Sequence, residues 1–257
     1  MHTAAQFKQD LMKLGLRSGD TVMIHSSYKA LGGIEGGAAA VICALKEVVG
    51  PEGTLIFPAF SWVTVNSESP VFDRETTPGC VGYLPEYFRT QVPGVIRSIH
   101  ATHSCCLWGA KAEELAKDHE LDDSPVGPNS PLAKLPKIGG KILMLGCPFD
   151  RNTSMHGVEE TADPIPVYLL QKDKLEYILK DGEREIRRLS RRHNFYVGDT
   201  HYIQCYRRVI DLLEGDEVSL GNVLDANCAL MDAAAVWKKG RAKLQEEPLY
   251  FVDTEKV

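Results

Sequence analysis

A chain of 257 residues, 44% hydrophobic and 25% charged, is long enough to bury a full core as one large domain or two small ones. Its net charge of −6 argues against non-specific nucleic-acid binding, and no apolar run approaches the length of a bilayer span. The first residues lack the apolar core of a secretion signal, so a cytoplasmic protein is expected; the seven cysteines are scattered without CxxC spacing and are expected as free thiols.

Phe7, Leu11 and Leu14 recur at helical spacing, and Gly15 can end that helix. Thr21–His25 reads as a strand, Gly32–Gly37 as a glycine-rich loop, Ala38–Val49 as a helix, Gly50–Gly53 as a turn and Thr54–Phe57 as a second strand. That order is a βαβ unit and predicts a parallel pair. Residues 58–80, with Pro58, Pro70 and Pro78, form a long polar loop of the kind that serves a site. Short helices are expected over 81–90, 111–119 and, after a Ser130 cap, from Pro131; extended segments are expected over 95–100 and 104–108. Lys141–Gly146 reads as a buried strand and 153–162 as a helix. Residues 163–224 read as mixed strands and turns, and Asp225–Leu244 as a long C-terminal helix capped by Asp225.

The segment Asp150–Glu160 carries the most chemistry. It leaves a buried strand and enters a helix that Asn152 or Thr153 can cap. On that helix His156 and Glu159 are three residues apart and Glu160 is four from His156, so a carboxylate can orient the imidazole as a general base. A surface ion pair would give the same spacing. The run from His25 to Gly37 offers strand, serines, glycines and a helix N-terminus, which make an anion cradle or simply a structural βα turn. It matches neither the Walker A nor the GxGxxG pattern. Arg97 to Ser104 offers donors for a phosphate or amide, and His100 with His103 is a weak HxxH pair for a metal. The basic run Arg184–Arg192 is a solvated face or a patch for an anionic group. Cys105, Cys106 and Cys147 raise a covalent acyl route, with inert packing as the plainer reading.

Several segments, in order along most of the chain, resemble the antibiotic N-acetyltransferase family, the aminoglycoside 3-N-acetyltransferases and their relatives. They are Lys13–Asp20, Val22–Ser27 with Gly36-Gly37, Gly50–Thr54, Arg97-Ser98 with His100 and Ser104, Trp108-Gly109 with Ala112-Glu113-Glu114, Ser130–Leu132, Gly140–Gly146 and Asn152–Glu159. The resemblance implies one α/β domain over 1–257, a three-layer α/β/α sandwich with a mainly parallel central sheet, distinct from the GNAT acetyltransferases. It implies acetyl-CoA as co-substrate, no metal, and a small-molecule primary amine as acceptor, by default an aminoglycoside. Antibiotic resistance is then the default role, and the oligomeric state stays open between monomer and homodimer.

By the same resemblance His156 is the catalytic base, and the helical spacing makes Glu159 its orienting partner. His25, Ser26, Ser27, Lys29, Gly33, Gly36, Gly37, Arg97, Ser98, His103 and Ser104 line the CoA channel. Asp122, Asp150, Asn152, Thr153 and Glu160 are the candidate acceptor-binding set, since carboxylates hold ammonium groups by charge-assisted bonds. Ser104 and Thr153 are candidate hydroxyls for the oxyanion. The chain departs from the family at Ala101, where a proline is common, and in 163–224, the acceptor-side region. There the arginine run would repel a polycation, which opens the alternative of a non-aminoglycoside, anionic amine. A metal-dependent hydrolase using His100, His103 and His156 is the rival of another class.

Overall fold

In the computed structural model, which describes all 257 residues, the chain runs α1 (Ala4–Leu14), β1 (Thr21–Ser26), α2 (Gly37–Val49), β2 (Thr54–Pro58), β3 (Val71–Asp73), α3 (Tyr83–Gln91), β4 (Ile96–Arg97), β5 (Cys105–Gly109), α4 (Ala112–Ala116), α5 (Pro131–Lys134), β6 (Lys141–Leu145) and α6 (Met155–Glu160). It continues through β7 (Leu175–Asp181), β8 (Arg184–Ser190), β9 (Tyr196–Val197), β10 (Thr200–Gln204), β11 (Val218–Val223), β12 (Ala226–Asp232), α7 (Ala233–Glu246) and β13 (Val252–Lys256). No helix is long and apolar enough to cross a membrane.

The expected βαβ unit is present, and β1 lies parallel to β2 and to β6. The seven-stranded sheet, in the order β11-β12-β6-β1-β2-β5-β4, is otherwise antiparallel, so the mainly parallel sheet expected from the resemblance is corrected to a mixed one. The cause is how each side is extended. On one side a hairpin, β11–β12, adds to β6; on the other β5 returns along β2 and carries β4. Antiparallel neighbours need only short turns, whereas each further parallel pair needs a crossover.

Strand β12 is a second correction, because the sequence pattern places Ala226–Asp232 at the start of the C-terminal helix. Ala226, Cys228 and Leu230 face one apolar cluster and Ala229 and Met231 the other. The run is therefore a central strand buried on both faces, and pairing on both edges outweighs alanine's helix preference. Asp232, not Asp225, caps the helix: its carboxylate accepts from Ala235 N at 2.7 Å.

The two clusters lie on opposite faces of the sheet. Val22 and Ile24 point into one with Phe7, Leu11, Val41 and Leu45 of α1 and α2. Met23 points into the other with Met155 and Val158 of α6 and Val236 and Trp237 of α7. Residue 25 continues the second face, which turns a buried histidine toward α6. Two small three-stranded sheets flank the seven-stranded one: β7 and β8 of the 163–224 region join β3 of the long loop, and β10 and β9 of that region join the C-terminal β13.

Candidate active site

A cavity of about 530 Å³ opens beyond the C-terminal ends of β1 and β6. Five stretches wall it. His25 and Ser26 end β1; Cys147, Asp150, Arg151, Thr153 and His156 follow β6. Pro58, Phe60, Trp62, Cys80 and Val81 come from the long loop, with Thr102 and His103 from the β4–β5 connection. Arg192, His193, Phe195, Gln204 and Tyr206 come from the 163–224 region. Loops at the carboxyl ends of parallel strands are a usual place for a site in such folds.

His156 sits in the first turn of α6. That helix starts at Ser154 without a side-chain cap, so neither Asn152 nor Thr153 caps it as expected. The ring is 7% exposed and Glu159 is fully buried. The two side chains are 3.6 Å apart, too far for a good direct bond. Tyr206 bridges them: its hydroxyl lies 2.8 Å from His156 Nδ1 and 2.7 Å from Glu159 Oε2. A carboxylate only accepts, so the single hydroxyl proton goes to Glu159 and the tyrosine oxygen accepts Nδ1–H from His156. His156 Nε2 is left as the acceptor nitrogen. Burial, and then the Glu159 charge, push the Tyr206 phenol well above its ordinary pKa, so it stays protonated and keeps this direction. The other Glu159 oxygen accepts from the Tyr168 hydroxyl at 2.8 Å.

Tyr206 and Tyr168 lie outside every motif of the sequence reading. Tyr206 is 50 residues from His156, and its only local signal is helical spacing to the buried Val209, which reads as core.

Of the expected CoA-channel residues, His25, Ser26 and His103 line the cavity, whereas Ser27, Lys29, Gly33, Gly36 and Gly37 do not. His25 is held neutral, its pKa lowered to about 3 chiefly by burial and then by His156, and its Nε2 lies 3.2 Å from Ser154 Oγ. Arg97, Ser98 and Ser104 are committed to the fold. Arg97 donates to the carbonyls of Thr77 (2.5 Å) and Ala59 (2.9 Å) and to Ser104 Oγ (2.9 Å). Ser104 Oγ donates to Ala59 O, and Ser98 Oγ accepts from Cys105 N and meets His119 Nδ1. The segment read as a phosphate site thus staples the long loop to the sheet, because a buried guanidinium must find acceptors and the loop carbonyls supply them. Ser104, spent on these bonds, is withdrawn as an oxyanion hydroxyl.

Of the acceptor-side set, Asp150 and Thr153 line the cavity and Asp122, Asn152 and Glu160 do not. Asp122 closes its own loop by accepting from Asn129, and burial raises its pKa to about 6. Asn152 is 1% exposed, with neither amide atom bonded. Glu160 meets His193 Nε2 at 2.8 Å and Val126 N at 3.0 Å. Of the arginine run only Arg192 reaches the cavity, anchored to Trp62 O; Arg184 pairs with Glu120 and Arg187 with Glu176.

The hydrolase rival finds no support in the donor geometry. His100 Nδ1 is taken by the amides of Thr102 and His103, the His103 and His156 rings are 6.4 Å apart at 81°, and no His, Cys, Asp and Glu cluster of three is arranged to hold a metal ion. Burial raises the Cys105, Cys106 and Cys147 thiols, the last two to about 12, which disfavours the thiolate an acyl-cysteine route needs.

The sequence model of the family described as Aminoglycoside 3-N-acetyltransferase matches residues 23–245. Aminoglycoside N(3)-acetyltransferase III of Salmonella sp is 32% identical, over 96% of this chain and 92% of that protein. A structure of AAC-IIIb in a binary complex with CoASH superposes with a TM-score of 0.81 at 30% identity, covering 95% of this chain and 96% of the other. A structure of AAC(3)-IVa in complex with a gentamicin gives a TM-score of 0.80 at 25% identity, covering 97% and 91%.

Proposed function

Because the chain belongs to the antibiotic N-acetyltransferase family, we propose that it transfers the acetyl group of acetyl-CoA to a primary amine of a small molecule, by direct attack with His156 as general base. The relatives are named for aminoglycosides and one neighbour is a complex with a gentamicin, so an aminoglycoside is the first acceptor to try. One observation carries the reading: His156 lines a deep cavity with one ring nitrogen held by Tyr206 and Glu159 and the other left as an acceptor.

The amine nitrogen attacks the thioester carbonyl. Its N–C bond forms, the C–S bond breaks, and the electron pair leaves on sulfur. His156 takes a proton from the nitrogen as the bond forms and returns it to sulfur, with Glu159 stabilising the imidazolium through Tyr206. Negative charge on the carbonyl oxygen needs a donor, and Thr153 in the cavity wall offers the hydroxyl. The apolar faces of Phe60, Trp62, Val81 and Phe195 suit a pantetheine arm, and Asp150 suits an ammonium group of the acceptor.

The same proposal takes residues 1–257 as a single cytoplasmic domain with an α/β/α layering unlike GNAT enzymes, and residues 163–224 as its acceptor side. The apolar clusters on both faces of the sheet, the seven free thiols and the five residues that the 163–224 region lends to the wall support it. A second acceptor class, an amine carrying phosphate or carboxylate, is favoured by Arg151 and Arg192 standing in the wall beside a single lining carboxylate, Asp150.

Thiol release from acetyl-CoA, measured against aminoglycosides and phosphorylated or carboxylated amines, tests both readings. Activity on either set is expected, and it should vanish in His156→Ala while CoA still binds. Near-normal turnover of His156→Ala removes the assigned base; silence with every amine removes acetyl transfer itself.

A further inference from the structure

A second imidazole–carboxylate pair faces the same cavity. His193 Nε2 lies 2.8 Å from Glu160 Oε1, and the pair is nearly buried, at 8% and 4% side-chain exposure. His193 lines the cavity with its ring centroid 4.2 Å from that of His156. Nε2 is committed to the carboxylate, so Nδ1 is the nitrogen left toward the open space. Helix α6 backs both rings from adjacent positions, with Glu159 behind His156 through Tyr206 and Glu160 behind His193 directly. The acetyl-transfer mechanism above uses only the first pair.

The chemistry has work for two. A primary amine in neutral water is an ammonium ion, and it becomes an amide only after losing two protons. The first must leave before the nitrogen has a lone pair to attack with. The second leaves as the N–C bond forms, and His156 carries it to the departing sulfur. We infer that His193 takes the first proton: the ammonium N–H passes to Nδ1 while Nε2–H passes to Glu160, so that His193 is a further catalytic residue and Glu160 a positioning residue that ends as the carboxylic acid. The balance closes, since one ammonium, one thioester and one Glu160 carboxylate give one amide, one CoA thiol and one Glu160 acid, which then returns its proton to water. This inference rests on acetyl transfer at this cavity.

The electrostatics agree. Burial raises Glu160 to about 7, so its carboxylate is a usable base at neutral pH. Burial, and then the nearby His156 charge, keep His193 from holding a proton itself, which suits a ring that passes one on. The charged and titratable groups facing the pair are His156 and Glu159 from α6, His100 and His103 from the β4–β5 connection, Asp122 and Asp123 from the 122–129 loop, Tyr206 and the adjacent Arg192.

The test is the pH dependence of kcat/KM for the amine in wild type, His193→Gln, Glu160→Gln and His156→Ala, with acetyl-CoA and an amine of the panel above that the wild type turns over, sisomicin first. Without His193 the acceptor must arrive as free amine, whose share falls tenfold per pH unit below its own pKa. His193→Gln should therefore lose roughly 10²-fold near pH 6.5 and recover toward wild type by about pH 9. Glu160→Gln should show the same slope even if His193→Gln folds poorly, and His156→Ala should stay inactive throughout. A loss that is constant with pH, or no loss at all, overturns the inference and leaves His156 in its role. No thiol release by the wild type with any amine of that panel removes the acetyl-transfer reading and this inference with it.

Discussion

Tyr206 gives its only proton to Glu159 and its lone pair to His156, so one hydroxyl fixes both the tautomer and the tilt of the base. Removing it in Tyr206→Phe keeps the ring in the core. It leaves Nδ1–H facing a carboxylate at 3.6 Å, which is beyond good hydrogen-bond range. Hydrogen bonds to charged groups contribute about 1.5–3 kcal/mol, so kcat should fall roughly tenfold to a hundredfold, with the KM for acetyl-CoA little changed. A variant running at the wild-type rate would show that the direct His156–Glu159 contact suffices. Sequence spacing exposed His156 and Glu159 because i,i+3 neighbours on a helix are fixed by local geometry. It could not expose Tyr206 or His193, which the 163–224 region delivers from far along the chain, nor Tyr168, which lies nine residues past Glu159 and beyond the end of α6. It also misjudged Arg97, because donor chemistry alone does not say whether a ligand or a loop carbonyl will accept.

Helix α6 is only six residues long, too short to hold its place by its own hydrogen bonds, and it is set by packing against α7. The two helices cross at glycines. A Cβ on Gly157 would lie 2.5 Å from a Trp237 ring carbon and 2.9 Å from Val126, and one on Gly240 would lie 2.7 Å from Val158. Trp237 is 6% exposed and its ring is rigid, so it cannot step aside as a flexible side-chain tip would. Gly157→Ala should therefore cost about 1–3 kcal/mol, read as a fall in Tm of roughly 2–4 °C per kcal/mol. It should also lower kcat more than that loss of fold explains, because it moves His156 and Glu159 together. An unchanged Tm with full activity would mean that the crossing is loose. The βαβ unit was legible from its glycine punctuation and apolar runs. Strand β12 was not, because an alanine-rich run buried on both faces has no periodicity to separate strand from helix.

At the scale of the whole molecule, strand direction escaped the sequence for a related reason. A βαβ unit declares its parallel pair locally, but which strands join its edges depends on partners that no local pattern records. The same assembly buries histidines in numbers, and that has a consequence for stability. His25 is lowered to about 3 and His100 to about 4, and His103 and His119 are lowered well below the ordinary imidazole value, each chiefly by burial. Between these values and the unfolded pKa of about 6.5 the unfolded chain binds protons that the folded chain refuses, so stability falls as pH falls. Asp122, raised to about 6, works the other way, since it is protonated in the fold at a pH where the unfolded chain has already ionised. His193 and Glu160 titrate as one unit and are set apart from this balance. Four imidazoles against one carboxyl leave a net loss, each proton being worth about 1.4 kcal/mol per pH unit. Stability should therefore decline steeply from about pH 6.5 to about pH 4.5, seen as a falling Tm or urea midpoint. His119→Asn, which keeps a polar side chain beside Ser98 but removes one titrating ring, should make that decline shallower by about one proton. A Tm that stays flat across this window would mean that these rings take up protons in the folded chain as readily as in the unfolded one, and that their burial is not the dry environment from which the rest of the site's electrostatics follows.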